Sequence, residues 1–182
     1  MKHKKWLQWG VWLLTGLFVT NIVTIYLLFS QNNKAASTSS SRERTELFVL
    51  EGEDSGDARW KIEDYKVIKT SDASIWRGSG KITYLGNEAD LNNISYFSYR
   101  FYEQQEGRPS DTVLGGSISS NSSVAIPKVR DVGTISGAAT PLEQLLTRED
   151  MDRSYLEIEW KDHLGKVYKD RIELTVKEYE TF

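Results

Sequence analysis

From Leu47 onward, apolar and polar positions alternate with a period of two, the spacing of half-buried β-strands. Seven segments carry the pattern: "ARWKIEDYKVIKT", "IWRGSGKITYLG", "ISYFSYRFYEQ", "TVLGGSISS", "AIPKVRDVGTISGAA", "SYLEIEWKD" and "KVYKDRIELTVK". Each is rich in β-branched and aromatic residues and is bounded by Gly, Asn, Asp or Pro. In the sixth, Leu156, Ile158 and Trp160 form an inward row against outward Tyr155, Glu157 and Glu159. The last places Ile172, Leu174 and Val176 inward and Glu173, Thr175 and Lys177 outward. In the first, Trp60 and Ile62 share one phase while Tyr65 and Val67 follow the other, which predicts a bulge near Asp64. Asp162-His163-Leu164-Gly165 supplies a hairpin turn.

One stretch breaks the alternation. "TPLEQLLTREDMDR", Thr140 to Arg153, has a proline followed by Leu142, Leu145 and Leu146 at helical spacing, with Thr140 as N-cap, and predicts a helix of one or two turns crossing between sheets. About seven antiparallel strands with one crossing connection predict an all-β fold, an immunoglobulin-like β-sandwich rather than a barrel.

The N-terminal part has a different character. Trp6 to Phe29, "WLQWGVWLLTGLFVTNIVTIYLLF", carries no charged residue. As a helix it is about 36 Å long, against a hydrocarbon core of about 30 Å. Lys2, Lys4 and Lys5 precede it, so the positive-inside rule keeps the N-terminus in the cytoplasm and sends the rest across. The apolar run is too long for a cleaved signal peptide and ends without a suitable small-x-small site. The expected organisation is therefore a cytoplasmic 1–5, a transmembrane helix at 6–29, a flexible linker at 30–46 and an extracytoplasmic β-domain at 47–182. The linker, "SQNNKAASTSSSRERTE", is polar and aperiodic, and as a coil spans about 20–25 Å.

Charge and cysteine content narrow the function classes. The chain of 182 residues totals −3, and its first thirty residues contribute +3, which leaves −6 for Gln31 to Phe182. An acidic exterior argues against nucleic acid and anionic headgroups as partners. With no cysteine, the chain has neither disulfides nor a cysteine-linked lipid, and its exported part relies on its core.

The opening "GEDSGDARWKIEDYKV", the glycine-rich "GSGKITYLG" and the closing "LEIEWKDHLGKVYKDRIEL" resemble small uncharacterised envelope proteins and lipoproteins of Gram-positive bacteria. Those carry a G-E-S-x-x-W-type start and a W-x-D/G-x-x-G end on an Ig-like β domain, here over Glu51 to Val176. The resemblance implies an envelope location and the fold, and brings no catalytic residue. It departs at the anchor, where this chain has an apolar helix instead of a lipid-modified cysteine.

Candidate chemistry is sparse. Glu51, Glu53, Ser55 and Gly56 fall at positions 1, 3, 5 and 6 of an EF-hand loop, but position 12 is Ile62 where a bidentate Glu belongs, so the stretch reads as an acidic turn into a strand. His163 is the single histidine beyond the anchor and sits in the hairpin turn, which leaves no zinc set and no expected catalytic triad. "LGGSISSNSS", Leu114 to Ser123, lacks the following helix a phosphate loop needs. No catalytic residue, cofactor or metal is expected.

Aromatic content is more suggestive. "ISYFSYRFYE" puts Phe97, Tyr99 and Phe101 on one face and Tyr96, Arg100 and Tyr102 on the other, so with the first row in the core the second either packs under the loops or beside a neighbouring strand, or forms a candidate binding surface. In the apolar helix, Asn21 carries an amide that a partner helix would satisfy, a candidate membrane-helix contact. The sequence thus predicts a non-catalytic binding or assembly module, single-pass in the cell membrane of a bacterial envelope. Its expected partners are membrane lipid through residues 6–29 and a membrane or envelope protein. The alternative is a cell-wall carbohydrate-binding accessory or an envelope hydrolase.

Overall fold

The computed structural model describes residues 44–53 and 59–182. The expected span at 6–29, Asn21 within it, and the linker up to residue 43 lie outside the described residues, as do 54–58 of the acidic opening stretch. Among the described residues no helix is long and apolar enough to cross a membrane.

Among the described residues eleven strands, all paired antiparallel, form two sheets. In chain order they are β1 (Glu46–Glu53), β2 (Trp60–Lys69), β3 (Ser74–Gly78), β4 (Lys81–Tyr84), β5 (Ile94–Glu103), β6 (Asp111–Val124), β7 (Val129–Asp131), β8 (Thr134–Ala138), β9 (Tyr155–Asp162), β10 (Val167–Glu173) and β11 (Thr175–Thr181). The seven-stranded sheet runs β11-β1-β2-β3-β8, with β4 on β2 and β7 on β4; the four-stranded sheet runs β10-β9-β5-β6. Two one-turn helices, α1 (Pro141–Gln144) and α2 (Arg148–Met151), lead from β8 in the first sheet to β9 in the second. Thr140 and Thr147 cap them, each in a reciprocal capping box. Of the leucines at helical spacing, Leu146 is buried, while Leu142 and Leu145 are exposed.

The expected count of about seven strands is corrected to eleven for a physical reason. Three expected strands are each broken in two, and β1 precedes them all. Two of the breaks, together with a kink inside the unbroken β2, line up across the larger sheet as a crease. Asp64 has φ 55° in β2, Ser79 has φ 61° between β3 and β4, and Gly133 has φ 74° between β7 and β8. Consequently β3 pairs with the upper part of β2 and β4 with its lower part. The predicted bulge at Asp64 is thus the first of a row. The third break lies at Leu174, where the chain passes from β10 in one sheet to β11 in the other and Leu174 N–H donates to the Ser154 carbonyl at 2.9 Å. β1 also draws the end of the expected linker into the fold, since Thr45 exchanges backbone hydrogen bonds with Phe182 at 3.2 and 3.0 Å.

The sheets pack face to face through aromatic side chains. Trp60 of β2 lies 5.6 Å from Phe97 and 5.5 Å from Trp160 between ring centroids, and Tyr65 stacks on Phe101 at 4.1 Å. Trp60, Ile62, Tyr65, Phe97, Phe101, Leu156 and Ile158 are all buried, as the alternation predicts. Burial of each such side chain contributes about 1.5–3 kcal/mol, so without disulfides this interior supplies the main stabilisation.

Candidate functional site

Along one side of the sandwich the sheets part. There β8 edges the larger sheet and β6 the smaller, and between them lies a groove of about 580 Å³ to whose lining α1 also contributes. Its apolar lining comes from Ile75, Val113, Ile135, Leu142 and Leu146.

Two charged rows reach the floor. Arg77 continues the inward phase of Ile75 on β3, and Glu103 continues the inward row Phe97-Tyr99-Phe101 on β5. Both are buried. Arg77 Nε donates to Glu103 Oε1 and Nη2 to Oε2, each at 2.7 Å, and Nη2 also donates to Glu143 Oε1 at 2.8 Å. Glu143 is placed by local helix chemistry. Its N–H donates to Thr140 Oγ1 at 3.2 Å, while its Oε2 accepts from the Thr140 N–H at 2.7 Å. The capping box that starts α1 therefore also aims a carboxylate at Arg77.

Burial alone disfavours a charged guanidinium, but the hydrogen bonds and charge of Glu103, with Glu143 added, outweigh it and raise the Arg77 pKa above its ordinary value. Burial likewise opposes ionisation of Glu143; the Thr140 hydrogen bonds and Arg77 reverse that and hold its carboxyl below the usual range. Two carboxylates share one guanidinium, so the floor carries one net negative charge. On the rim stand Arg108 and Asp111.

Tyr96, Arg100 and Tyr102 do share the outward face of β5, away from this groove. Arg100 is exposed, with Gly115 of β6 and Glu157 of β9 as its cross-strand neighbours. Tyr96 and Tyr102 are half-buried. The Tyr102 ring stacks on Tyr155 at 4.7 Å and 12°. Tyr155 in turn lies under the Arg171 guanidinium, 3.6 Å from its ring centroid, with its hydroxyl 2.8 Å from Ser110 Oγ.

His163 is exposed in the β9–β10 turn, where Asp162 Oδ1 accepts from the N–H groups of Leu164 and Lys166, both at 2.9 Å. Glu51 and Glu53 belong to strand β1, and Glu51 pairs with Lys177 at 2.9 Å, an extended rather than a looped arrangement. Leu114 to Ser123 is strand, part of β6.

The groove network was not among the residues singled out in the sequence. A signal for it exists: Arg77 and Glu103 are opposite charges on inward phases of two strands, and a charge in that phase requires a buried partner.

No protein-family model matches the chain, and no curated protein sequence matches it. Among solved structures, the catalytically inactive OgpA of Akkermansia muciniphila, in complex with an O-glycopeptide substrate, is similar with 11% identity and a TM-score of 0.21. That match covers 79% of this chain and 29% of OgpA, so the chain spans under a third of that protein. A C2-type domain of RIM from Drosophila is similar with 12% identity and a TM-score of 0.24, over 77% of this chain and 96% of that domain. At such TM-scores neither likeness bears on fold or activity.

Proposed function

We propose that this chain is a non-catalytic binding module, held on the outer face of a bacterial cell membrane by residues 6–29, and that its binding site is the groove between β6 and β8. One observation carries the binding role: the two carboxylates on the groove floor, Glu103 and Glu143, are both engaged by Arg77, and the third carboxylate of the lining, Asp111, stands exposed on the rim. A hydrolase of the paired-carboxylate kind needs one acid that keeps its proton near neutral pH. Glu143, held ionised by Thr140 and Arg77, is the opposite. What remains is a rigid charged floor beneath apolar walls, the makings of a recognition site.

The groove is preferred to the outer row of β5 because the Tyr102 ring is already occupied by Tyr155, which leaves Arg100 as the exposed member. The immunoglobulin-like reading of the sandwich belongs with this proposal, supported by two facing antiparallel sheets and a chain that passes between them at Leu174. The membrane location rests on the apolar run and the lysines before it. Asn21 is then the residue through which a partner helix would engage the span.

A chain without cysteine allows a direct test. Intact cells expressing full-length His3→Cys or Ser122→Cys are treated with a membrane-impermeant maleimide. Labelling of Ser122→Cys alone is the expected result, and labelling of His3→Cys overturns the orientation. For the binding role, fluorescent peptidoglycan fragments and peptides are incubated with the full-length protein and recovered. Recovery unchanged in mass is expected; cleaved products would turn the assignment toward an envelope hydrolase.

A further inference from the structure

The strands that end the two sheets differ in charge. β10 carries Lys169, Asp170, Arg171 and Glu173, and β11 carries Lys177, Glu178 and Glu180. Charges of this kind on an edge deter a foreign strand from pairing. β8, Thr-Ile-Ser-Gly-Ala, carries none, and all five of its residues are exposed. It pairs with β3 on one side, and no strand among the described residues pairs with it on the other. A free row of backbone N–H and C=O groups is complementary to the main chain of another extended polypeptide.

We infer that β8 accepts a short extended segment of a partner protein as an added antiparallel strand, with an apolar and a basic side chain, two residues apart, entering the groove. This rests on the binding reading above and gives that site its ligand class.

The pleat decides which side chains enter. Gly137 stands opposite Ile75 and Ile135 opposite Arg77, so both are on the inward face of β8. Yet Ile135 is 49% exposed, and a Cβ built on Gly137 meets nothing within 4 Å. An inward face left uncovered on an edge strand is open ground for the side chains of a further strand. Alternate residues of that strand point the same way. One of them meets Ile135, Val113 and Leu142, and the next lies toward the acidic groups. Among the charged residues lining the groove, Arg77 and Arg108 stand against Glu103, Asp111 and Glu143, which leaves one carboxylate in excess. That excess matches a lysine or arginine on the incoming segment. A second copy of this chain fits less well, because the uncharged edges it would offer, β8 and most of β6, bring no cation.

The test pans the full-length protein in detergent against displayed random heptapeptides, with Gly137→Phe as the counter-screen. The expected result is enrichment of peptides with an apolar residue and a Lys or Arg two positions apart, bound about tenfold more weakly or worse by Gly137→Phe. Synthetic versions N-methylated at alternate amides lose binding in one phase and keep it in the other, a readout that does not depend on how well the variant folds. Equal loss in both phases, or no peptide enriched over the counter-screen, overturns the inference. If peptidoglycan fragments occupy the groove instead and Gly137→Phe blocks them, strand addition falls while the binding reading stands. If Gly137→Phe changes the binding of neither probe, the groove reading falls with it. A full-length dimer that Gly137→Phe splits would put a second copy on β8 and overturn the inference as well.

Discussion

Arg77 on β3 and Glu103 on β5 meet as a bidentate pair, and the two strands belong to opposite sheets. The bond therefore ties the sheets together beside the groove, at the side of the sandwich where they part. Both side chains are buried, so an ion that loses its partner is left largely desolvated.

Removing one partner is expected to cost far more than removing both. Arg77→Met leaves Glu103 and Glu143 facing each other without a cation, and is expected to lower stability by about 3–5 kcal/mol. Adding Glu103→Leu to Arg77→Met is expected to recover a substantial part, because one stranded charge goes with it. Urea denaturation of Arg77→Met, Glu103→Leu and the double variant measures the difference; a double-variant loss equal to the sum of the two single losses would mean that the pair is not coupled.

Acid should weaken the fold through Glu143 and Glu46. Burial opposes ionisation of both, but Thr140 and Arg77 at Glu143, and Lys69 and Tyr179 at Glu46, hold each carboxyl below its ordinary 4.5. A depressed folded-state pKa contributes stability that is complete above the unfolded value and is lost as pH falls through the folded one. Midpoints of thermal unfolding are therefore expected to be level from neutral pH down to about 5 and then to drop. Glu143→Gln should flatten part of that drop and Glu46→Gln another part. An unchanged acid limb in Glu143→Gln would contradict the assignment.

Much of the sandwich was legible from period-two alternation, because a strand with one face in the core must alternate. The rows Phe97-Tyr99-Phe101, Leu156-Ile158-Trp160 and Ile172-Leu174-Val176 are all inward as read. The three breaks that, with the added β1, turned seven strands into eleven were less legible. Ser79 adopts positive φ without being glycine, and Leu174 turns a corner with an apolar residue that itself stays in the core, so neither interrupts the hydrophobic pattern. The groove was missed because its key residues lie far apart in sequence and acquire meaning only once the two sheets face each other. The outward row of β5 was read correctly as outward, but alternation says nothing of the cross-strand neighbour that engages Tyr102.

Two glycines in adjacent paired strands are expected to respond to alanine in opposite directions. At Gly78, φ is +149° and a Cβ falls 2.4 Å from the Gly133 carbonyl oxygen, so Gly78→Ala should cost about 1–3 kcal/mol. At Gly137 the Cβ enters open space, and Gly137→Ala should be neutral or stabilise by up to about 1 kcal/mol through the unfolded chain. Urea midpoints of the two variants, at unchanged slope, give the comparison.

The outer face of β5 should separate into a structural and a dispensable member. Tyr102→Ala removes the stacked partner of Tyr155 and is expected to cost about 0.5–1.5 kcal/mol beyond its lost burial. Arg100→Ala, at an exposed position, should stay within about 0.5 kcal/mol of the parent. Thermal unfolding of both variants decides the matter; a large loss for Arg100→Ala would point to a role that its exposure does not explain.

The central claim is that the uncharged edge at β8 and the groove beside it receive the partner. Amide hydrogen exchange of the full-length protein, with and without a saturating heptapeptide selected on it, tests this most directly. Slowed exchange in Thr134 to Ala138, with the outer face of β5 unchanged, is the predicted result. Slowed exchange centred on Tyr96 to Tyr102 while β8 exchanges as before would contradict it.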